Sequence, residues 1–126
     1  MITSNLILAW TWILLGFVSG MVMGLFFHKS DWLGGYASHQ RRLYRLGHIS
    51  FFGLGAVNLL FALTVSAGGL GGPWIETASV AFIIGALSMP LCCVLMAHFK
   101  WAQHLFAVPV LSLLTGGTLI LKELIS

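Results

Sequence analysis

Four apolar stretches, each close to the length of a bilayer-spanning helix, take up most of this 126-residue chain. A helix needs roughly 20 mostly apolar residues to cross the hydrocarbon core, and the stretches run over about 6–27, 47–65, 77–97 and 101–121. Little is left for a water-facing domain. Only 7% of the residues are charged, against about 25% in soluble domains, so the chain could not cover an aqueous surface. The first stretch has no basic segment before it and no small-residue cleavage signature after it, so it is expected to remain as a helix. The sequence predicts an all-α integral-membrane four-helix bundle, with residues 1–126 forming a single transmembrane domain in a lipid bilayer.

Charge placement sets the expected orientation. Lys29, Arg41, Arg42 and Arg45 fall in the basic loop 28–46, and Lys100 lies in the turn between the third and fourth spans, whereas 66–74 holds no Lys or Arg. The positive-inside rule then puts these loops in the cytoplasm and both termini on the outer side, with the bacterial inner membrane as the default location. Trp10, Trp12 and Trp74 would mark the outer interface, and Trp32, Tyr36, Tyr44 and Trp101 the inner one. Six Lys and Arg in all are too few for a nucleic-acid surface. In the basic loop, Gly34-Gly35 breaks the chain, and Ser38 is placed to cap a helix that continues through the arginines into the second span.

Small residues form two lines. Gly16, Gly20 and Gly24 recur every four residues in the first span, and Ala81, Gly85, Ser88 and Cys92 follow helical spacing in the third. Such lines let neighbouring backbones approach, either within one bundle, against a partner subunit or second copy, or around a flat cofactor. Pro90 removes the backbone hydrogen bond to the carbonyl of Ala86 and is expected to kink the third helix. Asn58 reads as the one carboxamide deep in a span and predicts an interhelical hydrogen bond. No Asp, Glu, Lys or Arg falls mid-span, which argues against an ion-coupled transporter.

All five histidines, His28, His39, His48, His98 and His104, fall on the basic side. His28 and His98 lie at predicted helix C-termini, where imidazole complements the macrodipole. His48 and His104 lie near predicted N-termini, which favour the neutral, metal-ligating ring. Arg41, Arg45 and His48 share one face of a continuous helix. This pattern suits a b-type haem with His48 as one axial ligand, His98 or His104 as the other, His28 as a further candidate, and Arg41 and Arg45 on the propionates. It equally suits a lipid phosphate or a quinone headgroup. Met89, Cys93 and Met96 fall within an arc of about 60° at 100° per residue, a soft set that with His98 could outline a path for Cu(I). The adjacent cysteines are expected to be reduced thiols.

No phosphate loop, zinc motif or carboxylate pair is present, so the chain is not expected to be catalytic alone. Three functions remain: a small subunit of a bioenergetic or other membrane complex holding haem b, a cofactor-free structural subunit docking on other integral-membrane proteins through its small-residue faces, and a Cu(I)-handling protein.

Overall fold

In hydrocarbon, backbone N–H and C=O groups must be satisfied within the chain, and the helix does so locally. The computed structural model describes residues 2–35 and 37–126; Tyr36, assigned above to the aromatic belt, lies outside the described residues. Four long helices follow in order: α1 (Ile2–Phe27), α2 (His39–Gly68), α3 (Pro73–His98) and α4 (Ala107–Ile125), with a 3₁₀ segment, Lys100–Phe106, leading into α4. All four are long and apolar enough to cross a membrane, the last counted together with its 3₁₀ segment. The fold is the expected all-α four-helix membrane architecture.

The helix ends follow local chemistry. Ser38 caps α2, its Oγ accepting the Arg41 N–H at 3.1 Å and donating to the carbonyl of Leu33 at 2.6 Å. From there α2 runs unbroken through the arginines into the apolar stretch. His48 therefore lies well inside α2, beyond the first turn over which the macrodipole acts, and the N-terminal argument made for it from sequence does not hold. At the other end, Gly69 takes the left-handed conformation (φ 60°) that terminates α2, and Pro73 opens α3 at its first turn.

Pro90 leaves the Ala86 carbonyl without its helical partner, as expected. The indole Nε1–H of Trp12 on α1 donates to that carbonyl at 2.8 Å. A bond lost within α3 is thus replaced by one that ties α3 to α1.

The helices form a staggered array. Each packs on its sequence neighbour and α1 also touches α3, while α1 and α4 flank the α2–α3 pair with at most marginal contact between them. In the most apolar window of α2 and of α3, 39% and 44% of residues are buried, against 17% and 11% in the flanking spans. Glycines allow the close approaches: Gly55 lies where a Cβ would come 3.0 Å from the carbonyl of Ala9, and Leu113 of α4 occupies the space over Gly85. Ala81 is buried beside that seam, and the Ser88 hydroxyl turns back to the carbonyl of Ile84 at 2.7 Å. The α1 line divides, with Gly16 against Phe52, Gly20 against His48, and Gly24 meeting nothing within 4 Å.

Towards the α2–α3 hairpin, Phe61, Val65, Ile75, Ala78 and Phe82 form the apolar core. Beside it lies a polar knot. Asn5 Nδ2 donates to Asn58 Oδ1 at 2.8 Å, Asn58 Nδ2 to the carbonyl of Leu54 at 2.9 Å, and the Ser79 hydroxyl to Asn5 Oδ1. Asn58 makes the expected interhelical bond, but it is not the only buried carboxamide. The α1 helix begins at Ile2, ahead of the apolar run, and carries Asn5 inside, fully buried.

Candidate functional site

The opposite half of the array, towards the basic loop, holds a pocket of about 470 Å³ between α1, α2 and α3. Its walls are Ser19, Val22 and Met23 from α1, Tyr44, Gly47, His48 and Phe51 from α2, and Pro90, Leu91 and Val94 from α3. Local sequence shapes it. Without a side chain, Gly47 lets α2 lie against α3, where a Cβ would come 3.4 Å from that of Cys93. Gly20 opens α1 to the imidazole, since a Cβ there would come 2.8 Å from His48 Cε1. Val22, Leu91 and Val94 are exposed on the array's surface, so the pocket opens sideways, towards lipid.

His48 is the one histidine in this wall. Its Nδ1 lies 2.8 Å from Ser19 Oγ, and its ring meets Phe52 edge to face at 5.5 Å. Ser19 has one hydroxyl hydrogen, with the carbonyl of Gly16 as its acceptor at 3.0 Å. If that hydrogen goes to Gly16, the Nδ1–H of His48 donates to Ser19 and Nε2 keeps its lone pair; if it goes to Nδ1, the ring proton sits on Nε2. Nε2 has no hydrogen-bond partner among the described residues.

Tyr44, one turn before His48, continues the same face. Its hydroxyl lies 2.8 Å from Nε2 of His98, with the rings edge to face at 5.8 Å. This contact joins the pocket wall to the rim of the array.

The other candidates disperse. The Arg41 side chain is 1% exposed and donates through Nη2 to the carbonyls of Phe27 and Lys29, at 3.1 and 2.8 Å. It stacks over Phe27 and Trp32, at 5.0 and 5.4 Å, and so ties down the C-terminal end of α1. Arg45 is half-buried and does not line the pocket. His28, His39, His98 and His104 are exposed. The structure links His98 to the pocket through Tyr44 and places neither His104 nor His28 in its wall. Among the described residues, no three His, Cys, Asp or Glu side chains form a group able to hold a metal ion. Cys92 and Cys93 are buried free thiols, Cys93 facing Gly47, while Met96 lines a groove at the rim.

Sequence reasoning missed Ser19 and Trp12 as partners and treated Tyr44 only as an interfacial aromatic. The spacing of four residues between Tyr44 and His48 carried the second signal. Nothing along the chain carried the first, because it depends on how α1 sits against α2 and α3.

Together these features define a class: a four-helix integral membrane protein with a side-opening apolar pocket and a single anchored imidazole in its wall. No protein-family model, curated protein or solved structure matches the chain.

Proposed function

We propose that the protein binds a membrane-soluble quinone or quinol in the His48 pocket, as a small subunit of a bioenergetic membrane complex. The observation that carries this reading is the His48 ring, held at Nδ1 by Ser19, without a partner at Nε2 among the described residues, and lining an apolar pocket that opens to lipid. A quinol is flat, neutral and lipophilic. Its hydroxyl suits a ring-nitrogen acceptor, and its tail would leave past Val22, Leu91 and Val94. No Lys, Arg, Asp or Glu lines the pocket, which favours a neutral ligand over a charged one. The flanking helices α1 and α4, the least buried of the four spans, offer faces to partner subunits.

Haem b is the second reading, favoured by the Nδ1–H tautomer. An axial histidine commonly holds its Nδ1–H to a protein acceptor and presents Nε2 to iron. Its propionates call for cations, however, and the pocket wall has none.

One preparation separates the readings. Protein purified from haem-replete cells is expected to show no Soret band and to bind a short-chain ubiquinol saturably, with binding weakened in His48→Phe. A Soret band lost in His48→Ala would assign haem instead. Neither a band nor quinol binding would leave the cofactor-free structural subunit.

A further inference from the structure

A second cavity, a polar groove of about 350 Å³, opens at the basic end, where the first turn of α2 meets the end of α3 and the start of the 3₁₀ segment. His39 and Gln40 line it from α2, and His98, Lys100 and Gln103 from the other side, with no carboxylate in the wall. The Lys100 ammonium has no hydrogen-bond or ion-pair partner among the described residues. His98 commits Nε2 to Tyr44 and leaves Nδ1 uncommitted. The backbone N–H groups of His39 and Gln40 belong to the first turn of α2, where no intrahelical acceptor exists. Lys100 and these polar residues line one groove, and Met96 in its wall adds an apolar surface.

We propose that this groove binds a phosphate group, carried by an anionic phospholipid of the leaflet at the basic end. Lys100 supplies charge, the amide and imidazole groups supply directed hydrogen bonds, and the apolar wall lies where the glycerol and first acyl carbons of a lipid would run. A free phosphate would use the same donors but gain nothing from Met96. The groove shares no lining residue with the His48 pocket and meets it only through the Tyr44–His98 contact, so its lipid binding is tested apart from the quinone reading.

The test uses the full chain in detergent, titrated with dioleoylphosphatidylglycerol, dioleoylphosphatidylcholine and inorganic phosphate, with bound lipid counted by native mass spectrometry. Phosphatidylglycerol is expected to bind in preference to phosphatidylcholine. Lys100→Gln should weaken it about fivefold, the equivalent of ~1 kcal/mol for one lysine at a charged bilayer surface. His39→Gln should weaken it less, while Lys122→Gln, at the other end of the array, and His48→Phe should leave it unchanged. Lys100 is exposed, so its variant should melt with the wild type, and a melting scan checks this. Displacement of the lipid by millimolar inorganic phosphate, lost in Lys100→Gln, would keep the phosphate site and assign it to the free anion. Equal binding of the two lipids, or wild-type binding by both Lys100→Gln and His39→Gln, would overturn the proposal.

Discussion

Near the α2–α3 hairpin, Asn5, Asn58 and Ser79 bond to one another and to neighbouring carbonyls, all of them buried. In the basic half, His48 lines a pocket and engages Ser19 through one nitrogen, while the other has no partner among the described residues. Both are polar groups inside an apolar array, yet one is closed and the other open. A buried group whose donors and acceptors are all matched holds helices in register. One fixed on a single side and left unmatched on the other is pre-oriented for a ligand, because only a ligand can complete it. On the reading proposed above, the hairpin half holds the array together and the basic half meets the ligand.

The largest expected effect breaks the open side. His48→Phe keeps the ring volume and removes the acceptor. Quinol binding should fall about 10- to 100-fold, ~1–3 kcal/mol for a buried hydrogen bond, with little change in melting temperature. Calorimetric or fluorescence titration in detergent measures it. Breaking the closed side should do the reverse. Asn58→Leu leaves Asn5 Nδ2 only its 3.5 Å bond to the Ser79 carbonyl and should lower stability by ~1–2 kcal/mol in an SDS-unfolding titration, with quinol affinity retained in the folded fraction.

Smaller changes sharpen the contrast. Gly20→Ala places a Cβ within 2.8 Å of His48 Cε1, so it should displace the ring and weaken quinol binding several-fold, ~1 kcal/mol. Gly24→Ala meets nothing within 4 Å and should leave binding unchanged, with any stability gain no larger than the ~1 kcal/mol of helix propensity. Between these lies Trp12→Phe. It strips the Ala86 carbonyl of its donor and should cost ~1 kcal/mol of stability, read in the same SDS titration.

What the sequence made legible was local. Span length follows from apolar runs, the cap at Ser38 from a hydroxyl ahead of a helical segment, and the orphan carbonyl of Ala86 from the missing N–H of Pro90. The partners of these groups were not legible. Trp12 is 74 residues from Ala86 and Ser19 is 29 from His48, and pairing them requires the register of α1 against α2 and α3, which side-chain packing sets. Asn5 was missed because the polar run Thr3-Ser4-Asn5 interrupts the apolar pattern, although burial against Asn58 and Ser79 holds it within α1. Arg41 and His48 share a helix face, as their spacing implies, but the end of α1 takes the guanidinium before a ligand in the pocket could.

The central claim is that Nε2 of His48 carries a lone pair and meets the ligand. Solid-state NMR on protein with ¹⁵N-labelled histidine in lipid, compared with His48→Phe to assign the signal, tests it directly. The expected result is an Nδ1-protonated, Nε2-unprotonated ring for His48, whose Nε2 resonance shifts when quinol is added while Nδ1 stays bonded to Ser19. An Nε2-protonated ring, or an Nε2 resonance indifferent to saturating quinol, would contradict it.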